Sequence, residues 1–142
     1  MSESGNDVAQ VMNIDNQDWF LQSLINIVNT EEMSFGITLN VGGLLVSGTL
    51  IGGQHYFEGF GSDFSGGDES AENLKKAFAK YSNIYTQEKE DKQKSPRYIH
   101  LQDAQFFNTS GNPIPSNKGV WWRGRVSEVS GFMLGSLSSD HA

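Results

Sequence analysis

Apolar and polar residues alternate from Phe35 to Val41: Phe35, Ile37, Leu39 and Val41 against Gly36, Thr38 and Asn40. A period of two puts these sets on opposite faces of a half-buried strand. Gly42-Gly43 follows, a pair suited to the positive φ of a two-residue hairpin turn, and Leu44 to Ile51 reads as the returning strand. Gly48 inside that strand predicts a bulge or bend, because glycine weakens a straight strand. On either side of the hairpin the period becomes helical. Upstream, Phe20, Leu24, Ile27 and Val28 fall on one helical face, with Trp19 and Leu21 widening it. Asp15 or Asn16 is placed to cap this helix and Asn29-Thr30 to end it. Downstream, Tyr56, Phe57, Phe60 and Phe64 predict a short helix over residues 54–64, although the glycines at 59 and 61 count against it. A clearer helix spans about 71–85, with Asp68 or Ser70 as cap and Leu74, Ala77, Phe78, Tyr81 and Ile84 as its apolar stripe. Glu69 and Glu72 near its start and Lys75, Lys76 and Lys80 further on complement the helix dipole.

The remaining chain is again strand-like. Residues 86–94 (TQEKEDKQK) have no apolar member and read as a charged linker or frayed helix end. Tyr98 to Leu101 starts a third strand, with Phe106 and Phe107 extending it or beginning the next. Residues 108–118, with Gly111, Pro113 and Pro115, read as a loop. Residues 120–126 and 129–134 predict two more strands. The pattern gives an α+β fold: an N-terminal helix and a strongly bent antiparallel sheet, with a helical insertion between the second and third strands. One domain covers 14–135, with the insertion at 54–85 and the linker at 86–96. Residues 1–13 read as a disordered tail and 136–142 as a flexible one.

Composition narrows the function. The 142 residues suit one hydrophobic core, and the formal net charge is −7. A protein that grips phosphates needs a basic face, so the charge argues against general nucleic-acid binding. The chain has no cysteine, which excludes disulfides, thiol nucleophiles and thiolate metal sites. Its first residues lack a signal-peptide pattern and no run matches a membrane span, so a cytoplasmic protein with no membrane partner is expected.

No catalytic, cofactor or metal set is legible. His55, His100 and His141 stand apart in sequence. His100 faces opposite to Ile99 and Leu101, which reads as a surface or half-buried strand histidine. Asp63, Asp68 and Glu69 lack the alternation of a calcium loop and read as solvated, helix-capping acids. The densest group is Trp121-Trp122-Arg123-Gly124-Arg125. Neighbours on a strand face opposite ways, which leaves two readings. Trp122 fills the core, Trp121 packs under the helices, and Arg123 and Arg125 are surface charges; or Trp121, Arg123 and Arg125, joined by Phe132, form a contact face for another chain, since Trp and Arg are enriched at binding hot spots.

Three blocks carry a resemblance: residues 35–60 (FGITLNVGGLLVSGTLIGGQHYFEGF), 98–101 (YIHL) and 122–135 (WRGRVSEVSGFMLG). In their joint order and spacing they resemble the gas vesicle protein U family. The resemblance implies a non-enzymatic accessory protein, without cofactors, that contacts gas vesicle shell proteins or other accessory proteins. It would influence assembly or clustering through self-association as a homo-oligomer, at gas vesicles in the cytoplasm. The apolar strand, the Gly-Gly turn, Val-Ser-Gly-Thr and the late Trp-Arg-Gly also resemble Sm-like small barrels. A barrel of that kind is one version of the bent sheet, and an Sm-like oligomeric nucleic-acid-binding module is the alternative function. The helical stretch at about 56–85 departs from that barrel, and likeness of fold does not carry RNA binding with it.

Overall fold

The computed structural model describes residues 17–63, 67–88, 95–108, 110, 112, 114 and 119–137. The first helix, α1 (Trp19–Thr30), leads into the hairpin β1 (Phe35–Val41) and β2 (Leu44–Ile51). Two helices follow, α2 (Gly53–Ser62) and α3 (Glu69–Glu88), and then β3 (Tyr98–Phe107), β4 (Val120–Arg125), a 3-10 turn (Val126–Glu128) and β5 (Val129–Leu134). All five strands form one antiparallel sheet in the order β4-β3-β2-β1-β5, so the α+β expectation and the helical insertion between the second and third strands both hold.

The strand order forces the bend. β4 and β5 lie on opposite edges of the sheet, yet only Val126–Glu128 connects them. The edges of a flat five-stranded sheet lie about 19 Å apart. Four Cα steps from Arg125 to Val129 reach at most about 14 Å when fully extended, and a 3-10 turn reaches less. The sheet therefore curls until its edges approach. The two edges are not paired with each other, so the sheet is open and not a closed small barrel. Val126, 2% exposed, plugs the corner, and its N–H donates to the Arg97 carbonyl.

Local chemistry explains the turns. Gly42 and Gly43 have φ of 60° and 88°, the left-handed pair of a type I′ hairpin, with the Asn40 side chain accepting from the Gly43 N–H. Gly48 sits where the β2–β3 register shifts. A Cβ there would lie 2.9 Å from the Gln102 carbonyl oxygen, so this glycine permits a close backbone approach.

The concave side of the sheet holds the core. Leu21, Ile25 and Val28 of α1 lie over Ile37, Leu39, Val46, Leu50, Ile99, Leu101 and Ala104. This corrects the predicted helix face: Trp19 and Phe20 are exposed, and Ile27 is 38% exposed. In α1 the polar residues Gln22, Ser23, Asn26, Asn29 and Thr30 share one side, and the apolar arc opposite them, Phe20 to Val28, is wider than the sheet covers, so its period does not say which part of the arc is buried. The buried polar residues do. Gln22 donates to the Pro96 carbonyl and the Gln17 side chain, and the Asn29 side chain accepts from the Gly53 N–H. Asn29 thereby supplies the cap for α2 that Gly52, lacking a side chain, cannot.

The helix also starts later than predicted. Asp15 and Asn16 lie outside the described residues, and Asp18 is the cap, its carboxylate accepting from the Phe20 and Leu21 N–H groups at 2.9 and 3.2 Å. Asp18→Ala should lower stability by about 1 kcal/mol, read from a urea unfolding midpoint. Asp68 caps α3 as expected, accepting from the Ala71 N–H, and that helix runs to Glu88, past the predicted end. The remainder of the charged linker, 89–94, lies outside the described residues. At the other terminus, residues 135–137 are held on the sheet: Gly135 N–H donates to the Gly36 carbonyl, and Leu137 N–H donates to the Ser47 hydroxyl.

Candidate functional site

α2 and α3 lie on the face of β3 and β4 opposite to the core. Alternation along β4 sorts the residues. Trp122 turns to the core and packs against Gly124, two residues on, where an added Cβ would overlap its ring. Trp121, Arg123 and Arg125 turn to the helical side. Across the strand pair, Leu101 faces Trp122, His100 faces Arg123 and Tyr98 faces Arg125.

Trp121 is half-buried and fully engaged. Its indole N–H donates to the Asp63 carboxylate at 2.8 Å, and its ring meets Tyr56 and His55 edge-on. Gly59 of α2 lies against the indole, and any Cβ there would overlap it. Gly61 likewise brings α2 close to Phe78 of α3. The glycines that counted against a helix are thus the reason α2 can pack between β4 and α3. Phe64 lies outside the described residues.

His100 is 1% exposed, which corrects the expectation of a surface or half-buried position. It does face away from Ile99 and Leu101, but the helical layer covers it. Tyr56, Phe57 and Tyr85 surround the imidazole with ring centres at 4.7, 5.9 and 5.3 Å. Burial, and secondarily the positive charge of Arg123, pushes its pKa down to about 3, so the ring is neutral. Its Nε2 accepts from the Arg123 Nε–H at 3.1 Å, which places the ring proton on Nδ1. The Arg123 guanidinium lies 3.9 Å from the Tyr98 ring centre and 5.6 Å from that of Phe57. Tyr56 is held above the usual phenol range by burial, with Arg123 pulling the other way.

Arg125 is exposed on the same face. Phe132 lies elsewhere, on β5, half-buried and 5.6 Å from Phe20. The four candidate contact residues therefore divide between two surfaces, one at β4 under the insertion and one at the β5 edge. On the side of Phe132 the exposed side chains are apolar, Trp19, Phe20 and Leu134, and Met133, 51% exposed, lies on the opposite face of the same edge strand. The period of the strands indicated the outward set on β4. The β5 patch depends on β5 pairing with β1, ninety residues away in sequence, so only the assembled sheet brings it together.

Among the described residues no group of three His, Asp or Glu side chains is arranged to hold a metal ion, and no helix is long and apolar enough to cross a membrane. No curated protein and no solved structure matches the chain. The family model described as gas vesicle protein GvpU-like does match, over residues 18–137. That span runs from the Asp18 cap through β5 to the residues bonded back onto β1 and β2, so it takes in every described element; the chain belongs to the gas vesicle protein GvpU-like family.

Proposed function

We propose that the protein is a non-enzymatic accessory factor that binds gas vesicle shell proteins or finished vesicles and tunes their assembly or clustering by associating with itself. Family membership supports the system. The observation that supports self-association is the β5 edge, which pairs with no further strand among the described residues and carries exposed Met133 on one face and Leu134 with the Trp19–Phe20–Phe132 cluster on the other. An edge strand with an apolar flank is a template for another chain unless charge or cover blunts it. Among the described residues the sheet has a second open edge at β4, with Val120 exposed, so each copy offers two unlike edges for pairing. Many weak contacts between copies bound to different shells would bridge vesicles. In this reading Phe132 belongs to the contact face, while Trp121 acts indirectly by fastening α2 to β4.

Sedimentation of the purified protein, and its co-flotation with purified gas vesicles, test this. Self-association and co-flotation are expected together. Met133→Lys places a charge on the exposed edge and should weaken self-association by about tenfold or more with the unfolding midpoint unchanged. A wild-type monomer that never co-floats overturns the reading.

A further inference from the structure

The chain contains three arginines, and the fold brings all three to one place. Arg97 immediately precedes β3, Tyr98 pairs with Arg125, and Arg123 stacks on Tyr98. In a chain of net charge −7, this is a concentration of fixed positive charge at one end of a single strand pair. Arg123 is also oriented. Its Nε–H is spent on His100 and its plane is set by Tyr98, and no carboxylate is among its partners within the described residues. Arg123 lines a groove of about 690 Å³ between α3 and the start of β3. The groove walls are Phe57, Tyr81, Ile84 and Tyr85, and Arg97 joins Arg123 at the rim. Tyr81 and Ile84 are 46% and 54% exposed, although they belong to the apolar stripe of α3.

We propose that this groove is a binding site for a carboxylate-bearing segment of a partner protein. An Asp or Glu side chain would pair with the Nη groups of Arg123, and a neighbouring apolar side chain would lie along Tyr81, Ile84 and Phe57. The fork of donors on a guanidinium matches a carboxylate, and a guanidinium already held in place loses little entropy on pairing. Apolar walls beside one charge clamp suit a peptide better than inorganic phosphate, which has no apolar part to bury. They also suit it better than nucleic acid, whose affinity comes from a run of phosphate contacts that three arginines in an acidic protein do not supply. Buried, neutral His100 has a positioning role: an imidazolium could neither accept from Arg123 nor tolerate its charge.

The site is independent of the vesicle reading, because it can be tested on the purified full chain. The probe is the peptide acetyl-Leu-Glu-Leu-Phe-amide, its Gln counterpart serving as control, in an NMR titration that follows the arginine Nε–Hε resonances. Saturable shifts centred on Arg123 are expected, with a Kd on the order of 1 mM. The Gln peptide should bind about tenfold more weakly, as for loss of a hydrogen bond to a charged group. Arg123→Gln should abolish the shifts. Arg97→Gln and Arg125→Gln, at exposed positions, should each weaken binding, and they keep the test sound if the Arg123 variant misfolds. Equal binding of the two peptides, shifts confined to another surface, or saturation by inorganic phosphate or oligo-uridine in preference to the Glu peptide would overturn the proposal. A protein that floats with vesicles yet ignores the Glu peptide would sink this site alone.

Discussion

Adding a single methyl group at Gly52 will destabilise the fold by about 3 kcal/mol, the upper end of what overpacking costs. Gly52 lies between β2 and α2 as the N-cap of α2, with φ −74° and ψ 159°, a conformation any residue adopts. The demand is for space. A Cβ would lie 2.5 Å from the Val28 carbonyl oxygen and 3.2 Å from its carbon, both backbone atoms of α1. No rotamer change relieves such a contact, so α1 must move. Three residues of α1 resist that movement: Val28 and Ile25 are packed into the core, and Asn29 accepts from the Gly53 N–H at 2.9 Å. Gly131→Ala is the matched control. It lies in β5 with nothing within 4 Å of the added Cβ, and its cost should stay within about 0.5 kcal/mol. Urea midpoints with unchanged slopes would measure both. Equal effects for the two variants would mean that α1 is not wedged against the β2–α2 corner.

Where a residue's neighbours are set by local geometry, the sequence revealed its place. The alternation of Phe35 to Val41 against Leu44 to Ile51 encodes which side faces the core, and Gly42-Gly43 encodes the hairpin, because both depend on residues a few positions apart. Gly48 likewise marked the irregularity between β2 and β3. Features made by packing between distant segments were not legible. The apolar arc of α1 is wider than its contact with the sheet, and the buried side lies toward Gln22 and Asn29, whose hydrogen bonds to segments far along the chain the period does not report. His100 looked like an outward strand residue because its pattern reports the first layer of the fold, and the layer that buries it comes from α2 and α3. The cluster of arginines had a readable cue. Two strands that start after Arg97 and end at Arg125 must, if paired antiparallel, bring those residues together.

Wild-type protein should lose about 2 kcal/mol of stability between pH 7 and pH 5 that a His100→Gln variant does not lose. His100 has a native pKa of about 3 against 6.5 in a solvated chain. Above pH 6.5 both states hold the imidazole neutral and the full contribution is present. As pH falls below 6.5 the unfolded chain takes up a proton that the folded protein refuses until near pH 3, so stability falls over that window by at most about 1.4 kcal/mol per pH unit. Every other ionisable group is common to both proteins and cancels in the difference. Glutamine keeps an acceptor for Arg123 and cannot ionise, so the difference curve isolates the imidazole. A flat curve would mean that water reaches the ring. The helical insertion would then not seal it, and with an imidazolium beside it Arg123 could not keep its bond to His100 at the groove wall.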